Sequence, residues 1–289
     1  ISAWLSCLSE LCGRPSDVRT LTCAALTNII GSVIVGKRFE YDDEYFTKFV
    51  DMLDEQFRLS TSSSLFSLFP WLRYLPGDLF KAKRRTQNHR SLTEFFCNYY
   101  IEQTEQEYDE KNLDNFVAAY LSEMKKMARQ GKDTTLDKEN LRRDLLQLFL
   151  AGSDTTASTI LWFMIYMLYY PMAQEKSFKE IENVVGTERT PTMHDKTKMK
   201  FTHAAILETQ RLATIGPLGV PHFCNKDTVI KGYTIPAGTT VLSNLDAVLL
   251  SDKTWDQPLE FRPDRFLYND GNLIHPEEFI PFSIGLVSF

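Results

Sequence analysis

No proline interrupts the chain between Thr135 and Pro171. With Thr135 as N-cap and Asp137 and Glu139 in the first turn, this stretch predicts one helix of about 50 Å at 1.5 Å rise per residue. Few folds need such a helix except through their centre. Its second half, 160–170 (I-L-W-F-M-I-Y-M-L-Y-Y), is apolar on every face, as a helix buried on all sides must be. Its middle reads A-G-S-D-T-T-A-S-T from Ala151 to Thr159. Burying a carboxylate and several hydroxyls there costs free energy unless each finds a partner or water. Gly152 and the hydroxyls, which can bond carbonyls one turn back, favour a local bulge. Two readings stay open. In one, Gly152 lets a flat cofactor approach while Asp154 and Thr155 pass protons; in the other, the segment is a glycine kink with self-satisfied hydroxyls.

Composition narrows the class. A chain of 289 residues with 43% hydrophobic and 24% charged residues can bury a proper core and is too apolar to be disordered. A net charge of -6 gives no overall footprint for nucleic acid. The five cysteines, Cys7, Cys12, Cys23, Cys97 and Cys224, are scattered, without metal-ligand spacing, so neither a disulfide framework nor a metal site is expected. The first residue is Ile1 and no signal-peptide pattern follows it, which suggests that the true N-terminus lies upstream. The apolar run at 160–170 is shorter than the roughly 20 residues that span a bilayer, so no crossing is expected.

Residues 17–57 read as two helices joined by a turn near Gly31 and Gly36. Residues 65–77 are dense in aromatics and broken by Pro70, Pro76 and Gly77, and Lys81, Lys83, Arg84, Arg85 and Arg90 follow closely. Such a pair of features suits an anionic membrane surface. It equally suits a loop folded on the core followed by a solvated helix face. Residues 88–106 and 112–129 predict amphipathic helices, whereas 228–242, with Gly232, Pro236 and Gly238, predicts strand, turn and strand. The fold class is mainly α with a minor β-sheet, and 1–289 reads as a single domain.

Glu208 and Arg211 lie three apart on an apolar helix face shared with Phe201, Ala204, Ala205 and Leu212, so the pair is expected to be buried and to fix geometry. Arg265, in a proline-bounded extended stretch, is a candidate third member. The order of A-G-S-D-T-T, E-T-Q-R, V-P-H-F, G-Y-T-I-P-A-G-T, F-R-P-D-R-F and F-I-P-F-S-I-G resembles the haem-thiolate monooxygenases, the cytochromes P-450, most like their animal microsomal branch.

The resemblance implies a P-450 fold, here incomplete, with haem as cofactor. Ala151 and Gly152 would lie against the porphyrin, Asp154 and Thr155 would form the acid and alcohol pair of oxygen activation, His222 would reach a haem propionate, and Phe282 would belong to the cofactor-binding segment. Glu208, Arg211 and Arg265 would form the structural triad. Electrons would come from NADPH through a flavoprotein reductase, with a small haem protein as a second donor. The substrate would be an apolar small molecule, and the place of work the cytoplasmic face of the endoplasmic reticulum membrane. Two departures stand out. Asp264 replaces a frequent Glu, and F-S-I-G is not followed by the cysteine that ligates iron. Thiolate donation drives O–O cleavage in this chemistry, so the chain as written is expected to be inactive alone. It reads as an internal piece of a longer protein, 1–289 being one partial domain. The rival expectation is a catalytically silent, truncated helical module for binding or regulation.

Overall fold

The computed structural model describes residues 2–63, 69–74, 77–78, 80–110 and 112–284. The sequence readings on 65–68, Leu75, Pro76 and Gly285 lie outside them. The first helices, α1 (Ser2–Glu10) and α2 (Arg19–Ile34), are followed by Gly36 at φ +70°, a left-handed turn that glycine adopts readily. The chain then turns back at Phe39, whose backbone N–H donates to Asn28 Oδ1 at 2.7 Å while its carbonyl accepts from Asn28 Nδ2 at 2.9 Å. α3 (Glu44–Ser63) opens on Asp43, whose carboxylate accepts from the N–H groups of Tyr45 and Phe46. A 3-10 turn at Pro70–Tyr74 precedes α4 (Ala82–Leu92), a π-helical turn at Thr93–Asn98 and α5 (Tyr99–Gln106). This helical run starts earlier than the expected 88. Asp78 accepts from the N–H groups of Lys83 and Arg84 at 2.9 Å each and so caps the first turn. α6 (Phe116–Arg129) starts later than the expected 112, at the cap formed by Asn115.

The long helix is α7 (Lys138–Tyr169). Its cap is Asp137 rather than Thr135: Asp137 Oδ1 accepts from Asn140 N at 2.7 Å, and its carbonyl accepts from Leu141 N. The expected bulge is absent, and α7 is regular through 151–159. One 18-residue window of α7 reaches a mean hydropathy of 1.3, long and apolar enough to cross a membrane by length and composition alone, a test that the core helix of a soluble protein also passes. α8 (Pro171–Val185) and α9 (Lys200–Leu212) follow. Two antiparallel pairs come next: β1 (His222–Phe223) pairs with β4 (Thr240–Val241), and β2 (Thr228–Ile230) with β3 (Tyr233–Ile235). Lys231 and Gly232, both at positive φ, make the two-residue turn of the β2–β3 hairpin. α10 (Asp246–Leu249) and a 3-10 turn at Pro263–Phe266 complete the described elements.

The residues gather into two compact units, Ile1–Ala157 and Ser158–Phe289, with the division inside α7. One partial domain over 1–289 thus stays a proposal. In the first unit, Leu141, Leu145, Leu146 and Phe149 of α7 meet Phe49 of α3, the π-helical turn and Leu121 of α6 in one apolar core. Phe96 sits in its middle, stacked on Phe49 at 3.7 Å between ring centroids and edge-on to Phe149 at 4.9 Å. The π-helical turn keeps Leu92, Phe96, Cys97, Tyr100 and Ile101 together on the buried side.

In the second unit, α9 packs on the 3-10 turn through Ala204, Leu207, Trp255 and Phe266. The N-terminus of α9 is held by Glu180 of α8, which accepts from the N–H groups of Phe201 and Thr202 at 2.8 and 2.7 Å. The segment before α9 is tied by Asp195, which accepts from Arg189 at 2.7 and 2.8 Å and from Thr192. These bonds, that of Arg189 first, hold the Asp195 carboxyl well below the usual carboxylate range. The end of α7 departs from expectation. Met167 is buried and Tyr166 stacks on Phe261 at 4.7 Å, but Trp162, Ile165, Leu168 and Tyr169 are exposed among the described residues. Apolarity all round permits burial on every side, yet here the stripe of Phe163, Tyr166 and Met167 packs with Ala205 and Phe261 while its exposed neighbours face outward.

Phe96→Ala is expected to lower stability by about 3–5 kcal/mol in urea unfolding of the purified chain. A loss below about 1 kcal/mol would remove Phe96 from the centre of the core. Asp195 contributes stability above the ordinary carboxylate pKa that is lost as pH falls through its lower folded value. Arg189→Gln should therefore move the acid-unfolding midpoint to higher pH, and an unmoved midpoint would count against the tie.

Candidate active site

The polar middle of α7 is satisfied residue by residue. Ser153 is buried against α2, where the Thr27 hydroxyl lies 3.1 Å from its own and also donates to the Cys23 carbonyl at 2.8 Å. Thr155 Oγ1 donates to the Ala151 carbonyl one turn back, as expected of a hydroxyl in a helix. Asp154 takes a different route. Its Oδ1 lies 2.9 Å from Arg19 Nη2, and the same nitrogen is 3.2 Å from Asp54 Oδ1. Asp54 in turn binds Arg58 Nε at 2.8 Å. Two carboxylates and two guanidinium groups from α2, α3 and α7 thus form a network around the candidate proton donor.

Gly152 faces α2. A Cβ added there would come within 2.7 Å of Ile30 Cδ1, so the missing side chain makes room for α2. The open side of α7 in this unit lies elsewhere, at Leu148 and Ala151, both exposed, with Thr155 one turn beyond. Its smallest side chain is Ala151. A planar, apolar group fits against a helix at such a place, so the residues present would suit a haem at Ala151 and Thr155.

The second unit holds the triad. Glu208 and Arg211 have 0% side-chain exposure, and Arg265 is nearly as buried. Arg211 meets Glu208 through two bonds, Nε to Oε2 at 2.7 Å and Nη2 to Oε1 at 2.9 Å, while Arg265 Nε donates to Oε1 at 2.9 Å. The backbone N–H of Arg262 adds a further donor at 2.9 Å. Remaining guanidinium hydrogens go to carbonyls: Arg211 to those of Leu249 and Pro258, Arg265 to that of Asp256. Asp264, in place of the frequent Glu, stays outside and pairs with Lys176 at 2.7 Å.

His222 is exposed on β1, and Phe282 is exposed in a turn near the end of the described residues. Cys224, next to β1, directs Sγ to the Lys226 carbonyl at 3.2 Å, and its N–H bonds the Thr239 carbonyl. Among the described residues no three His, Cys, Asp or Glu side chains gather as a metal site. Sequence reasoning missed Arg19, Asp54 and the Arg262 amide. A signal for Arg19 was present, since it is the only charged residue in R-T-L-T-C-A-A-L-T-N-I-I-G-S-V-I. No pattern marked the amide, because a backbone donor has no identity in the sequence.

A family model described as Cytochrome P450 matches residues 3–286. Among curated proteins, cytochrome P450 2U1 of Homo sapiens is 38% identical over 263 residues, covering 90% of this chain and 48% of that protein. Cytochrome P450 2J2 of Homo sapiens is 37% identical over 282 residues, or 96% of this chain and 55% of that protein. Cytochrome P450 2D26 of Rattus norvegicus is 34% identical over 274 residues, or 94% and 54%. The chain spans about half the length of these relatives.

Removing the central carboxylate tests the triad. Glu208→Leu leaves Arg211 and Arg265 without their shared anion and should cost about 3–5 kcal/mol in urea unfolding. A loss under about 1 kcal/mol would show that the carbonyls alone hold the two guanidinium groups.

Proposed function

Because the chain belongs to the cytochrome P450 family, we propose that the protein of which it forms part is a haem-dependent monooxygenase that inserts one atom of dioxygen into an apolar organic substrate. The observation that carries this reading is the open side of α7, where exposed Leu148 and Ala151 adjoin the Thr155 hydroxyl while Phe149 and Ser153 are closed into the first unit. When bound, haem would supply the binding and reductive activation of dioxygen, with a thiolate as its ligand.

Ala151 keeps the approach to α7 low and apolar. Thr155 Oγ1, anchored on the Ala151 carbonyl, is placed to hand on a proton at that face, and Asp154 in the next position is its source. His222, exposed on β1, would donate to a haem propionate, and Phe282 would line the cofactor's edge. Glu208, Arg211 and Arg265 act without touching the substrate: they lock α9 to the Pro263–Phe266 turn, a support whose rigidity a bound cofactor requires. The iron ligand is assigned to no cysteine described here.

Two electrons would arrive from NADPH through a flavoprotein reductase, with a small haem protein as a second donor. The whole protein would work at the endoplasmic reticulum membrane, on its cytoplasmic face. Exposed Phe69, Trp71 and Tyr74, with the basic residues that begin at Lys81, support contact with the membrane surface. The charge of -6 favours no nucleic-acid role.

Thr155→Ala in the haem-loaded protein is the test. Loss of one proton-transfer group should raise hydrogen peroxide released per NADPH oxidised by about tenfold or more, at the expense of product. Unchanged coupling would remove Thr155 from proton delivery.

A further inference from the structure

Arg19 is the only charge on α2, and it is shared. Its Nη2 serves Asp154 of α7 at 2.9 Å and Asp54 of α3 at 3.2 Å, and Asp54 has a second cation in Arg58. Exposure falls in steps along this set, from 73% at Arg58 to 39% at Arg19, 27% at Asp54 and 13% at Asp154. Beside it lies a small, mostly apolar cavity between α2, α3 and α7, lined by Val50, Leu53 and Phe149 and edged by Asp54 and Asp154.

We infer that Arg19 is a positioning residue for Asp154: it turns this carboxylate toward α2 and α3 and, through its second partner Asp54, lets the position of α3 set when Asp154 exchanges protons with solvent. The inference rests on the reading of Asp154 as a proton source. A carboxylate held by a guanidinium stays ionised and is a poor proton donor until that contact loosens. Asp54 can take Arg19 over, and Arg58 lets Asp54 release it again, so a small displacement of α3 redistributes the cation between the two acids.

The groups facing Arg19 are Asp17 and Cys23 from its own side, Asp54 with Arg58 from α3, and Asp154 from α7. Burial pulls the Arg19 pKa down, but the hydrogen bond with Asp54 and the charge of Asp154 lift it above its ordinary value, so Arg19 keeps its proton. The Cys23 thiol is pushed up to about 11, by burial and then by Asp154, and it does not compete for the cation.

The test is isotope-edited infrared titration of aspartate carboxyls in the 289-residue chain, with Asp154→Asn identifying the Asp154 band. Arg19→Gln should raise the Asp154 midpoint by about one pH unit or more, and Arg19→Lys should restore most of it. Asp54→Asn should lower the midpoint, since Arg19 is then committed to Asp154, and it keeps the inference decidable if Arg19→Gln fails to fold. An Asp154 midpoint that none of these changes moves overturns the inference. Peroxide released per NADPH in the haem-loaded protein separates the two claims. If Asp154→Asn stays coupled, the proton-source reading fails while the midpoints still decide the role of Arg19. If Asp154→Asn uncouples but Arg19→Gln changes neither midpoint nor the pH profile of coupling, Arg19 has no positioning role.

Discussion

A charge or hydroxyl taken out of water must find its partners inside the protein, and most of what is specific in this chain follows from that demand. Glu208 is the extreme case. With no solvent contact, its carboxylate collects donors from Arg211, Arg265 and the Arg262 amide. To supply them, the stretch that ends in the Pro263–Phe266 turn has to lie along α9, and its carbonyls then absorb the guanidinium hydrogens left over. Such a network contributes little net stability compared with apolar packing, but it admits few alternative arrangements. The same demand governs the middle of α7. Ser153 meets Thr27, Thr155 meets its own helix, and Asp154 reaches Arg19.

These solutions differ in what they leave mobile. The triad is closed: every member is buried and bonded to backbone as well as to side chains. The network around Asp154 is half-exposed, and its carboxylates and cations can exchange partners at modest cost. A scaffold needs the first kind of arrangement and a proton carrier the second. Their separation along the chain, one in each compact unit, divides support from chemistry.

Much of this was legible in the sequence. The E-x-x-R spacing on an apolar face pointed to a buried pair, with Arg265 as a candidate third member, because burial of paired charges leaves a pattern of apolar neighbours. The Lys231–Gly232 hairpin was legible because turn chemistry is local, and the extent of α7 because proline ends helices. Helix starts were harder. Asp78, Asn115 and Asp137 act as caps through one or two hydrogen bonds that other polar residues nearby could equally have formed. Gly152 was less legible, because a glycine shows that something approaches, not what, and Ile30 of α2 is what lies beside it. The apolar end of α7 showed what a helix tolerates rather than what surrounds it. The partnership of Arg19 with Asp154 joins residues remote in sequence, and only the fold brings them together.

The central claim is that α7 presents Ala151 and Thr155 to a haem, with Gly152 turned to α2. Titration of ferric haem into the uniformly nitrogen-15-labelled chain, followed by amide resonances, tests it directly through paramagnetic broadening. The account predicts that the amides of Leu148, Ala151 and Thr155 broaden first, while those of Phe96 and Leu121 in the core stay sharp. Broadening concentrated elsewhere, with those three amides unaffected at saturating haem, would contradict it.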